Sequence, residues 1–287
     1  MKVARTPSEL ERRPRAIALG TFDGVHLGHR TVIEAANGEG LTPTVVTFDP
    51  HPRQVLGYGV ELLATLERRL ELLAELDVEE TLVVPFTLEV AALQPDEFAA
   101  SHLLGIGGEL IAAGESFRFG NKRRGDLELL RRLGARTKVV PLVPGISSSE
   151  IRTLVADGEV RAAAAMLGRP FEVEGTVVSG DARGGTLGFP TANLRADPAA
   201  LMPRYGIYVG EALGHRAAIS IGVNPHFGGE ERRIEAFLLD YEGDLYGRRL
   251  VVELWDRLRD EAVFESEAAL VAQIARDVDA ARAATRP

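Results

Sequence analysis

The chain has 287 residues, 45% hydrophobic and 26% charged, a balance that fits about two globular domains and excludes a disordered chain. Its formal net charge of -9 argues against a binder of nucleic-acid backbones, whose affinity comes from lysines and arginines that neutralise phosphates. Cysteine is absent, which excludes disulfides and thiolate metal sites together.

The N-terminal MKVARTPSELERRPR mixes charges with prolines around no apolar centre, so it does not read as a signal peptide. No apolar run approaches the roughly 20 residues that span a bilayer, and a cytoplasmic protein is expected. AIALG (16–20) is the first strand, and a helix starts near Leu27. TVVTF (44–48) and TLVVPF (81–86) are strands, with Leu66, Leu70, Leu73 and Leu76 marking a helix between them. PDEFAASHLL (95–104) opens a helix with proline in its first turn. A strand around Glu109–Ala113, a helix over LELLRRLG (127–134) and a strand at KVVPLV (138–143) follow. This alternation predicts a parallel sheet with helices on both faces. Ser147 and Glu150 suit a capping box for another helix, and one more through RAAAAMLG ends at Gly168.

Past Pro170 the pattern changes. VEGTVVSG, YGIYVGEAL, AAISIGV, RRIEAFLLDY and RRLVVELWDRL are short strands punctuated by Gly, Pro, Asn and Asp, as in an antiparallel barrel or sandwich. Leu270, Ile274 and Val278 stripe a closing helix. The switch at 168–172 divides the chain into residues 1–169 and 170–287.

Chemistry concentrates first in GTFDGVHLGH, Gly20 to His29. A strand that hands over to a helix through a glycine-rich turn aims free backbone N–H groups at one point, where the helix dipole favours an anion. His26 and His29, three positions apart, share a face and can donate to phosphate oxygens. Zinc ligation has little support without cysteine or a third histidine at metal spacing. A helix cap with surface histidines is the bland alternative. Ser148 and Ser149 with Arg152 one turn on offer a second anion site, or an ordinary cap. Farther on, the glycines of GDARGGTLGFPTANL allow close backbone approach to a phosphate. Thr191 and Asn193 alternate on an extended segment and offer hard oxygens, as Mg2+ prefers, or simple turn chemistry. Glu235 shares a strand face with Phe237 and Leu239, which points it toward an apolar barrel. There it is costly unless it works, for instance as a general base of raised pKa; a solvated strand-end glutamate is the alternative.

GTFDGVHLGH resembles the HxGH signature of the nucleotidyltransferase superfamily, in the form seen in bacterial bifunctional riboflavin kinase/FAD synthetases. TFDPHP (47–52), GESFRFG (114–120) and SSSEIR (147–152) are similar to that family's later motifs in the same domain. GTLGFPTANL (185–194) resembles its flavokinase signature, IEAFLLDYEGDLYG (234–247) its catalytic strand, and RDEAVF (259–264) its flavin-contacting segment. The resemblance implies a Rossmann-like α/β nucleotidyltransferase domain followed by an antiparallel β-barrel riboflavin kinase domain with a closing helix. It implies phosphorylation of riboflavin to FMN and adenylylation of FMN to FAD, with ATP as co-substrate and Mg2+. Gly20, Phe22, Asp23, Gly24, His26, His29, Ser148, Ser149 and Arg152 then bind ATP phosphates in the first domain, where His26 and His29 are also catalytic, stabilising the transition state, and Ser116 helps hold substrates. In the kinase, Gly180, Gly184, Gly188, Thr191 and Asn193 bind ATP, the last two also the metal. Glu235 takes the proton of the riboflavin 5'-hydroxyl, and Arg259 and Glu261 contact the flavin.

Three positions depart from the family pattern: Ser116 stands for Asp or Asn, Gly185 for a basic residue, and His226 for Thr. Ser116 keeps a hydroxyl, so altered affinity is expected rather than a dead site; Gly185 removes a charge that helps bind ATP. A nucleotidyltransferase with a degenerate kinase half, or a flavin carrier without turnover, are the competing readings.

Overall fold

The computed structural model describes residues 1–38, 40–180, 189–223 and 232–287. Gly184, Gly185, Gly188 and His226 lie outside them. In chain order the first part comprises β1 (Lys2–Ala4), β2 (Arg15–Leu19), α1 (Leu27–Ala35), β3 (Thr42–Asp49), α2 (Pro52–Val55) and α3 (Leu66–Ala74). β4 (Glu80–Pro85), α4 (Leu88–Ala92), α5 (Pro95–Phe98), β5 (Gly108–Gly114), α6 (Leu127–Arg132) and β6 (Arg136–Val140) follow. α5 runs on into a π-helical turn, Ala99–Leu104.

The six strands form one parallel sheet in the order β1-β4-β3-β2-β5-β6. Neighbouring residues on a strand face opposite ways, and the sheet is apolar on both sides. Leu19, Phe48 and Ile111 pack with Phe98, Leu103 and Leu130 on one face. Ala18, Val45 and Ala112 pack with Ile33, Leu72 and Leu73 on the other. Helices therefore cover both faces. The chain leaves β2 first toward β3 and later toward β5, so a topological switch point lies between β2 and β5. β6 stops at Val140, short of the expected 143, where Pro141 has no N–H to give the ladder.

α7 (Ser148–Asp157) and α8 (Val160–Leu167) lead to β7 (Phe171–Val178), β8 (Ala192–Arg195), β9 (Gly206–Ala212), β10 (His215–Val223), β11 (Arg232–Leu238), β12 (Arg249–Arg259) and α9 (Glu267–Ala283). The strands close a barrel in the order β10-β11-β8-β7-β12-β9, so the barrel, not the sandwich, is formed. Gly168, at φ +70, ends α8 in the left-handed region. The Ser266 hydroxyl caps α9 by accepting the Ala269 N–H at 3.1 Å.

Compact units divide at Met1–Ser148 and Ser149–Pro287, some twenty residues before the compositional switch. The physical reason is α8. Its Val160, Ala163, Ala164 and Leu167 are buried, and the helix packs on β7 and β12 of the barrel.

β11 corrects one expectation. Ile234, Ala236 and Leu238 are its buried residues and fill the barrel, while Arg233, Glu235 and Phe237 lie on the opposite face. Glu235 does share a face with Phe237, but that face is the barrel's outer one. There α9 supplies the cover: Leu239 packs with Trp255 and Ala281, and Phe237 and Val278 pack against them.

Candidate functional site

The loop after β2 emerges at the switch point, where open α/β sheets place their ligands. β2 pairs with β5, Ala18 opposite Ala112, so GTFDGVH leaves the sheet beside the turn that carries exposed Ser116. Three left-handed residues shape the loop, with φ of +52 at Phe22, +79 at Gly24 and +42 at Val25. A Cβ at Gly24 would also lie 2.9 Å from Leu63. The Asp23 carboxylate is buried and accepts the Leu63 and Ala64 N–H groups at 3.0 and 3.2 Å. Phe22 is buried too, its ring edge-on to His29 at 5.4 Å.

His26 ends the loop and caps α1. Its Nδ1 accepts the His29 N–H at 3.2 Å, so a neutral ring carries its proton on Nε2, which lies 3.1 Å from Ser148 Oγ. The two imidazoles stack with centroids 3.6 Å apart and planes 17° from parallel. His26, His29 and Ser148, distant in sequence, are thus brought together at the N-terminus of α1. Ser149 and Arg152 follow on α7, within the second unit.

In the second unit a cavity of about 410 Å3 opens on the outer face of the barrel. Thr191, Asn193, Glu235, Arg259 and Glu261 all line it. Register explains part of this: Glu235 lies directly opposite Asn193 on β8 and Ser220 on β10, and directly paired residues share a face. Glu235, 18% exposed, accepts from Arg233 Nη2 at 2.8 Å. Arg259 is held by Asp277 of α9, Nε to Oδ1 at 3.1 Å and Nη2 to Oδ2 at 2.6 Å. A Cβ at Gly180 would fall 2.4 Å from the Asn193 amide, which would have to move aside.

Sequence reasoning missed Arg233, Phe189, Phe264 and Asp277, which also line the cavity. Asp277 had a signal: an acid seven residues after Leu270 on the helix's apolar stripe. A second cavity, about 170 Å3, lies on the other side of β11, lined by Ala236, Leu238, Tyr241, Asp244 and Tyr246. Thr191 touches both cavities.

Residues 8–152 match the protein-family model described as FAD synthetase, and residues 167–285 match that for riboflavin kinase. A bifunctional riboflavin kinase/FMN adenylyltransferase of Listeria monocytogenes is 36% identical over 94% of this chain and 92% of its own length. The chain belongs to the bifunctional riboflavin kinase/FMN adenylyltransferase family. Another member of that family, from Escherichia coli, is 36% identical over 98% of this chain and 97% of its own. The crystal structure of a macrolide-efflux protein from Streptococcus pneumoniae has the same architecture, with a TM-score of 0.87 and 31% identity across 99% of both chains. Among the described residues, no helix is long and apolar enough to cross a membrane.

Proposed function

We propose that the chain makes FMN and then FAD from riboflavin and ATP, in the cytoplasm, with the kinase in residues 170–287 and the adenylyltransferase in 1–169. The observation that carries this reading is the 410 Å3 cavity that gathers Thr191, Asn193, Glu235, Arg259 and Glu261 from three separate stretches. Riboflavin occupies it, its ring system against Phe189, Phe264 and Leu270, with Arg259 and Glu261 at the flavin edge. The smaller cavity with Tyr241 and Tyr246 takes the base of ATP. That Thr191 lines both cavities supports a reaction there between the γ-phosphate and the riboflavin 5'-hydroxyl. Glu235 accepts the proton of the 5'-hydroxyl; that oxygen bonds to the γ-phosphorus as the bond to ADP breaks.

A hydroxyl, an amide oxygen and a carboxylate on one cavity wall make a hard donor set that fits Mg2+, with Thr191 and Asn193 as its holders. Bound there, the ion offsets triphosphate charge. In the other unit, His26, His29 and Ser148 bind the ATP phosphates as an FMN phosphate oxygen attacks the α-phosphorus and pyrophosphate leaves. Phe22 and Asp23 hold the shape of the loop, Gly20 and Gly24 its turns, and Ser116 a substrate beside it.

Incubation with riboflavin, ATP and Mg2+, followed by chromatography, tests both steps. FMN should appear first and FAD later, with pyrophosphate formed in step with FAD. Riboflavin bound but unchanged would show a carrier, and FAD made only from added FMN would show a dead kinase half.

A further inference from the structure

We infer that Arg69, a residue placed away from the reacting atoms, positions the His26–His29 loop for FMN adenylylation; the inference rests on the adenylyltransferase reading above. Arg69 sits on α3 and is only 3% exposed. Its terminal fork spans the ends of two strands. Nη1 donates to the Thr21 carbonyl at 2.9 Å and Nη2 to the Phe48 carbonyl at 3.1 Å, while Nη2 also lies 3.7 Å from Asp49 Oδ1. Thr21 belongs to the glycine-rich loop after β2, and Phe48 to the TFDPHP stretch at the end of β3. One buried cation therefore joins the two motif loops at their roots. Burial pulls the guanidinium's pKa down, and the charges of Asp23 and Asp49 oppose this.

The grip falls where the backbone needs it. Phe22 and Val25 hold left-handed φ of +52 and +42, conformations that persist only when surrounding contacts fix them. Thr21 carries two such contacts on one carbonyl, since the Thr47 hydroxyl also donates to it at 2.9 Å. Asp23 supplies the next pair through Leu63 and Ala64. The chain then reaches His26 and His29, whose ring placement depends on the path between. A lysine at 69 keeps the charge but has a compact ammonium rather than a planar fork matched to both carbonyls.

The test uses the full chain, with Arg69→Met and Arg69→Lys assayed for both activities and melted in parallel. Loss of loop placement of about an ångström lowers turnover by roughly ten- to a hundredfold. Arg69→Met should lose that much kcat in FAD formation from saturating FMN and ATP, while its riboflavin phosphorylation stays within about twofold of the parent. Arg69→Lys should recover part of the adenylylation kcat. Folded Arg69→Met with parent kcat would overturn the inference, as would a FAD loss that only follows the fraction unfolded. If Arg69→Met does not fold, Arg69→Lys decides: parent-level adenylylation kcat overturns the inference, and a selective loss with normal kinase activity supports it. A parent enzyme that makes no FAD would instead refute the adenylyltransferase reading itself.

Discussion

Two truncations test what α8 contributes to the barrel. One fragment begins at Ser149, where the second unit begins, and the other at Pro170, where composition changes. The shorter one lacks α7 and α8 and uncovers the apolar surface of β7 and β12 on which α8 packs. Val160 and Leu167 are each 1% exposed, and full burial of such a side chain is worth about 1.5–3 kcal/mol. Together they give roughly 3–6 kcal/mol as an upper bound, since unfolded chains already bury part of that area. Domains of this size have about 5–15 kcal/mol in all, so a net loss of about 3 kcal/mol is severe without being fatal. At a few degrees per kcal/mol, the fragment 170–287 should melt roughly 10 °C or more below the fragment 149–287. Circular dichroism melts measure this, and riboflavin phosphorylation at 25 °C should survive in the longer fragment. Melting points within about 2 °C of each other would show that α8 is a passenger, and the packing argument would fail.

Glu235→Gln keeps shape and removes the base, so FMN formation should fall by about two to four orders of magnitude with adenylylation unchanged, read by chromatography. His29→Ala should cut FAD formation about a hundredfold or more while riboflavin phosphorylation persists. Gly180→Ala pushes a methyl against the Asn193 amide and, by displacing that side chain, should lower kinase activity; normal turnover would refute a role for the Asn193 placement. His102, half-buried and stacked on Phe98 with centroids 4.7 Å apart, is held below its ordinary pKa of 6.5 by burial. Its folded form favours the neutral ring, so the stability it gives is present above that value and is lost as pH falls through the lowered one. Urea midpoints at neutral and acid pH should show this slope in the parent and less of it in His102→Phe.

Period and punctuation carried most of the fold. The strands at 44–48 and 81–86 and the helix capped by Thr65 are local patterns, and both faces of the sheet follow from their apolar runs. β1 was not legible, because three residues of a charged N-terminus become a strand only through parallel pairing with β4. Helix α8 was legible as a helix, yet its sequence says nothing of what it packs on. The side of β11 that Glu235 takes was half legible: alternation gave its face-mates, but only barrel closure decides which face is inside. Arg233 and Asp277 reach the cavity through neighbours and tertiary packing, which spacing alone does not encode. The histidine pair was the most legible of all, since its spacing, glycines and flanking elements agree.

The pairing of Glu235 with Asn193 across β11 and β8 has a consequence for how the barrel tolerates change. Two side chains from different strands are kept on one face by the ladder itself, so their juxtaposition is counted in whole residues rather than tuned in fractions of an ångström. Length variation in the connections leaves that count untouched. A single residue inserted between Ala192 and Asn193 would turn the asparagine to the opposite side of the sheet while the glutamate stayed where it is. The pairing thus behaves like a toothed gear: the barrel can slip by a full tooth or not at all, and one tooth separates an assembled site from a split one.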